Sequence, residues 1–128
     1  MRPAVVSPDE SREFSTPERC LILEVWNTPN EDQVSIARAR VKPGVRTILH
    51  LLEGNDERYL IIEGHGVVEV EDSRTQVGPG TVVIIPRDTP QRIENTGTVD
   101  LVFYCINTPP FTTTCYRDLE TGQLMPPR

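Results

Sequence analysis

The chain has one lysine, Lys42, among 13 basic residues, set against 19 acidic ones for a net charge of −6. It has no basic stripe. Phosphate neutralisation supplies most of the affinity for nucleic acid, so that class of partner is excluded. A polybasic membrane-surface protein is excluded for the same reason. Long hydrophobic runs are missing too. The longest span about five residues, as around 82–85, where a membrane helix needs roughly 20. The first ten residues, MRPAVVSPDE, contain no apolar signal-peptide core. There is no Asn-x-Ser/Thr glycosylation site and no Cys-x-x-Cys pair. The three cysteines, Cys20, Cys105 and Cys115, are an odd number. Free thiols in a reducing cytoplasm are therefore the expectation. No window carries a 3.6-residue apolar stripe, and neither repeats nor low-complexity segments occur.

What is present is β-branched and punctuated. Twelve prolines and eight glycines fall between short apolar runs rather than in one linker. The runs are CLILEVW (20–26), VSIARARV (34–41), VRTILHLL (45–52), RYLIIE (58–63), VVEVE (67–71), TQV (75–77), TVVIIP (81–86), QRIEN (91–95) and DLVFYCI (100–106). Strands this short, with a turn signal every 8–12 residues, predict an all-β sandwich or barrel. The 128 residues suit one domain. The polar, proline-rich stretch 1–17 reads as an arm with at most a strand near Ala4–Val6, 18–111 as the barrel and 112–128 as a tail. That tail is expected to cover a barrel edge or form a helical turn, with its last five residues mobile. TVVIIP does not alternate, which predicts a strand covered on both faces. Arg38 and Arg40 alternate with Ala37, Ala39 and Val41, which predicts a solvated face or a dimer rim.

The chemistry is concentrated in 45–64. Read as a hairpin turning at Gly54–Asp56, one strand places Arg46, Ile48, His50 and Leu52 on one face, and the return strand does the same for Glu57, Tyr59 and Ile61. An inward His50 with Glu57 across from it is half of a transition-metal site. It is also what an interior histidine hydrogen-bonded to a glutamate would look like, and such a pair can do acid–base work without metal. Arg46 could bind a substrate carboxylate bidentately, or pair with Glu57, or be solvated. Tyr59 suits either a pocket wall or the core. Cys105 lies in a strand as a small apolar residue or a pocket residue. Cys20 and Cys115 have no basic neighbour in sequence to activate them. His65, between two glycines, reads as an exposed turn residue.

Two spacings then coincide with a known family. Gly44, five residues, His50, one residue, Leu52, four residues, Glu57, six residues and Gly64 reproduce the first cupin motif, with Leu52 in place of its second histidine. Gly80, five residues, Pro86, one residue, Asp88, two residues, Gln91, three residues and Asn95 reproduce the second, with Asp88 for glycine and Gln91 for histidine. Together with the closing LVFYCINTPPF…CYRDLE, the chain resembles the small single-domain bacterial cupins over roughly 34–108. The resemblance implies a jelly-roll, or double-stranded β-helix, barrel. It implies an interior site in which three histidines and a glutamate hold Mn, Fe, Ni, Zn or Cu. Here His50, Glu57 and Gln91 are the candidate ligands, and two imidazoles are missing. The expected pocket lining is Arg46, Ile48, His50, Leu52, Glu57, Tyr59, Gln91 and Ile93. Small cupins often form homodimers, and the arm at 1–17 is the candidate for exchange. Two functions follow: a module binding a small polar molecule with weak or no metal, or a metal-dependent dioxygenase, isomerase or lyase with His50 and Glu57 as its catalytic candidates.

Overall fold

A computed structural model of the chain describes residues 2–122. Its strands are β1 (Phe14–Ser15), β2 (Leu21–Trp26), β3 (Ser35–Val41), β4 (His50–Leu52), β5 (Asp56–Glu63), β6 (Gly66–Val70), β7 (Ser73–Val77), β8 (Val82–Ile85), β9 (Gln91–Asn95), β10 (Leu101–Thr108) and β11 (Tyr116–Asp118). They form a six-stranded sheet in the order β1-β2-β3-β10-β5-β8 and a five-stranded sheet in the order β11-β4-β9-β6-β7. Every pairing is antiparallel. One core cluster takes side chains from both sheets, among them Ala39, Ile61 and Phe103 from the larger and Val68 and Ile93 from the smaller. The sheets therefore pack face to face, as in a jelly roll.

The alternation read in the sequence builds this core directly. Along β3, Ser35, Ala37, Ala39 and Val41 are buried and the intervening residues are not. Arg38 and Arg40 lie on the outer face as parity requires, but that face is covered rather than solvated. A 3-10 turn at Glu10–Arg12 lies over it. Arg38 donates to both carboxylate oxygens of Glu10 at 2.7 and 2.6 Å and to Glu13 at 2.9 Å. Arg40 donates to Glu13 at 3.2 Å and to Asp100 at 3.1 Å. The arm's strand is thus Phe14–Ser15, paired with β2 of its own chain, and not Ala4–Val6. The tail likewise enters the barrel. A 3-10 turn at Thr113–Cys115 leads into β11, which covers the edge of β4. The strands of the barrel therefore run from 14 to 118 rather than from 18 to 111. The mobility expected of the last five residues concerns positions outside the described ones.

Two further expectations change. β8 packs only its inner face against the core: Val83 and Ile85 are buried, while Val82 and Ile84 are 54% and 61% exposed. The run 45–52 is not one strand. Only His50–Leu52 is regular, preceded by an isolated Arg46–Glu94 bridge. The motif glycine Gly64 has φ +82°, and a Cβ there would lie 2.5 Å from the Asp100 carbonyl oxygen. Both conformation and space demand glycine.

Candidate functional site

Four strands of the larger sheet turn alternate residues toward one cavity. β2 and the residues before it supply Glu18, Cys20, Ile22 and Glu24; β3 supplies Ser35, Ala37 and Ala39; β5 supplies Glu57 and Tyr59; β10 supplies Phe103, Cys105 and Asn107. The opposite wall comes from Thr47, His50 and Leu52. The small side chains of β3 are what leave the space open. The free volume is about 40 Å³, room for a few waters or a ligand of a handful of non-hydrogen atoms. Among the described lining residues, Glu24, Cys105 and Phe111 are half-buried and the others buried.

At the inner end a chain of side-chain hydrogen bonds links the two sheets. The Tyr59 hydroxyl donates a short bond to Gln91 Oε1. Gln91 Nε2 donates to Glu57 Oε1 at 3.0 Å. Asn107 Nδ2 donates to Glu57 Oε2 at 3.0 Å and to Asn55 Oδ1 at 2.7 Å, and Asn55 Nδ2 donates to the Pro109 carbonyl at 2.7 Å. The directions are fixed by chemistry. A carboxylate only accepts, so Gln91 must turn its amide nitrogen to Glu57 and its carbonyl to Tyr59. Burial pushes the Glu57 carboxyl above its ordinary value, opposed by the nearby His50 and by the amides of Asn107 and Gln91. Burial, with the Glu57 charge beside it, pushes the Tyr59 hydroxyl well up, so it stays a donor.

His50 is only 4% exposed. Its Nδ1 lies 2.7 Å from the Ile48 carbonyl. Because a carbonyl can only accept, Nδ1 carries a proton and donates it to Ile48. The ring is stacked on Tyr116, centroids 4.8 Å apart and planes inclined by 17°.

The sequence reading and this site agree on His50, Leu52, Glu57 and Tyr59 as lining residues. Gln91 is buried behind them and meets the cavity through Glu57 and Tyr59. Ile93 belongs to the apolar core. Arg46 and Ile48 do not line the cavity. Arg46 is exposed and bridged to Glu94, and Thr47 takes the inward place. Thr47 exchanges hydrogen bonds with the Ile93 backbone: its N–H donates to the Ile93 carbonyl at 2.9 Å, and its Oγ1 accepts from the Ile93 N–H at 3.0 Å. The irregular backbone then carries Thr47 and His50, three positions apart, to the same side, and strict alternation fails. Glu18, Glu24, Thr47, Asn107 and Tyr116 were not anticipated. For Glu18 and Glu24 the signal was there, since they share parity with Cys20 and Ile22.

Two antiparallel sheets packed face to face around an interior cavity define a β-barrel of the jelly-roll class. The family is then given by the sequence: the chain belongs to the cupins, its residues 37–107 matching the Cupin_2 cupin-domain model. An uncharacterized protein of Methanocaldococcus jannaschii, MJ1618, is 32% identical over 105 residues, 80% of this chain and 84% of that one. Solved structures share the fold. A predicted oxalate decarboxylase of Thermotoga maritima superposes with TM-score 0.69 at 23% identity, covering 81% of this chain and 93% of that one. KdgF from a Halomonas species gives TM-score 0.77 at 16% identity, covering 88% and 99%.

The family implies a metal, and the residues here do not fit one. Leu52 offers no donor. The Gln91 carbonyl is engaged by Tyr59, and its amide protons face Glu57. Among the described residues no three His, Cys, Asp or Glu side chains converge on a common point. Of the family's four ligand positions, only His50 Nε2 and an already hydrogen-bonded Glu57 remain. No described helix is long and apolar enough to cross a membrane.

Proposed function

We propose that this cupin binds a small polar molecule in the cavity beside His50 and Glu57, without a resident metal. The observation that carries the proposal is the Tyr59–Gln91–Glu57–Asn107 chain. It satisfies internally the groups that a metal would otherwise claim, while His50 and Glu57 still line an open volume. A pocket of mixed apolar wall and few convergent polar groups is the usual form of a small-molecule site. One observation favours the second reading, a metal-dependent enzyme: the Nδ1–H tautomer of His50 is the one that metal-bound imidazoles adopt when a carbonyl orients them.

Elemental analysis of protein purified without chelator or nickel resin separates the two. Substoichiometric Mn, Fe, Ni and Zn, with no uptake on addition, is the expected result. A stoichiometric metal lost in His50→Ala would overturn the proposal. The double substitution Leu52→His, Gln91→His supplies the two missing imidazoles and frees Glu57 from the Gln91 amide. It should raise affinity for Zn²⁺ or Ni²⁺ at least tenfold, on the order of 1.4 kcal/mol or more. No gain by titration calorimetry would mean that positions 50, 52, 57 and 91 do not converge.

A further inference from the structure

We propose that a second copy of this chain docks on the outer face of the larger sheet and is clasped there by the N-terminal arm. The two outer faces of the barrel differ in chemistry. On the smaller sheet, Glu69 of β6 lies in register between Arg74 of β7 and Arg92 of β9. Arg92 donates to Glu69 at 2.7 Å, and Arg74 pairs with the same carboxylate. That face is charged and internally paired, as a solvated sheet face is. On the larger sheet, Phe103, Tyr59 and Val83 point inward, so their neighbours along each strand point out. One outward row runs Tyr104, Leu60, Val82 across β10, β5 and β8, and the next runs Ile106, Arg58, Ile84. Ile62 extends the patch along β5 and is 47% exposed, beside the more exposed Val82 and Ile84. Contiguous apolar surface of this kind marks an interaction site.

The arm covers the other half of this face. Leu23 of β2 points outward, since Ile22 lines the cavity, yet Leu23 is buried. The 3-10 turn Glu10–Arg12 packs against β2, and its Glu10 holds Arg38 on β3. The arm is thus a raised ridge over β2 and β3, beside a bare floor of β10, β5 and β8. Further along the same arm, Val5 is 98% exposed, an apolar side chain that its own chain leaves in solvent. A two-fold axis parallel to the strands and passing over β10 sets the ridge of each copy onto the floor of the other. That is the reciprocity an isologous interface demands. The area requires both parts. Three strands about 4.8 Å apart and about 3.4 Å per residue, over the eight residues of β5, give a floor of roughly 400 Å². A stable interface buries about 800 Å² per partner, and the ridge supplies the remainder. No strand is exchanged, since β1 stays paired with β2 of its own chain. Asp56 and Arg87, paired at 3.0 Å at one end of the floor, belong to its polar rim.

Sedimentation equilibrium on the full chain, over a dilution series, tests this. The mass should be twice the 14.4 kDa of one chain and fall toward it on dilution. Ile84→Glu, on the floor, and Val5→Glu, on the ridge, should each raise the dissociation constant at least about tenfold. Gln76→Glu, exposed on the smaller sheet, should leave it unchanged. Ile84 and Val5 are exposed in the single chain, so the far-ultraviolet circular dichroism of both variants should match wild type. Val82→Glu serves if Ile84→Glu fails to fold. A monomer at every concentration would overturn the proposal. So would a chain that dimerises only after residues 123–128 are deleted, because the tail would then be the occupant. A dimer that tolerates both Ile84→Glu and Val82→Glu would assign the interface to another surface and overturn the proposal too. A dimer lost in Ile84→Glu but unchanged in Val5→Glu would overturn the clasp.

Discussion

Tyr59→Phe isolates the bond on which the site's chemistry depends. The substitution removes one hydroxyl and keeps the ring, which packs against Phe103 with centroids 4.4 Å apart. The apolar area buried is therefore nearly unchanged. What is lost is the donor to Gln91 Oε1. Gln91 is 1% exposed, so its carbonyl is left dry and unpaired, at a cost of about 1–3 kcal/mol. For a domain of this size the melting temperature should fall by roughly 3–10 °C. The assay is equilibrium urea unfolding, with the slope unchanged and the midpoint lowered. A cycle with Gln91→Met assigns the loss: the coupling energy between the two sites should be about 1 kcal/mol or more. A coupling indistinguishable from zero would refute the reasoning. The Gln91 carbonyl would then be free to act as a metal ligand.

Gly64→Ala combines a left-handed backbone with a Cβ 2.5 Å from a carbonyl oxygen, and should cost at least about 2 kcal/mol. Gly80→Ala has a similar φ of +89° but no atom within 4 Å, so only the conformational part, about 1–2 kcal/mol, should appear in its denaturation curve. The pH dependence of stability should separate Glu57 from the surface carboxylates. Burial raises the folded-state value of Glu57 above the ordinary 4.5. Its protonated form is thus favoured by folding, and that contribution is full below 4.5 and lost as the pH rises through the raised value. The stability of wild type relative to Glu57→Gln should therefore decline as the pH rises from about 4.5, by at most about 1.4 kcal/mol per unit. Glu13 behaves oppositely. Burial pushes it up, but the guanidinium groups of Arg38 and Arg40 more than offset this and hold it low. Wild type relative to Glu13→Gln should lose stability as the pH falls. The same trend in both variants would contradict these assignments.

The fold was legible because its signal is local. Alternation with period two decides which face of a strand is apolar, and the prolines and glycines mark where strands stop. Both are readable without knowing any neighbour. The pairing of His50 with Glu57 was legible through motif spacing, and Glu18 and Glu24 lay on a face that parity already defined. What failed was parity applied across an irregular backbone. Between Thr47 and Leu49 the backbone N–H groups donate to three separate partners, the Ile93 carbonyl, the Glu18 carbonyl and the Glu120 carboxylate, rather than to one regular ladder, so Arg46 was assigned to the wrong side. β8 failed differently: VVII has no polar residue to mark an outer face, and only the packing shows that Val83 and Ile85 face the core while Val82 and Ile84 are exposed.

By itself the sequence determined a one-domain β-barrel, its acidic character and the retention of one histidine and one glutamate at cupin spacing, because composition and periodicity are properties of the chain alone. The tertiary structure decided what those residues can do. The direction of the Gln91 amide depends on Tyr59 and Glu57, which lie 32 and 34 positions away. The sign of charge in the cavity depends on which side chains four distant strands turn inward. Neither is a property of any contiguous stretch, since a hydrogen bond's direction and a cavity's field are set by neighbours that only folding brings together.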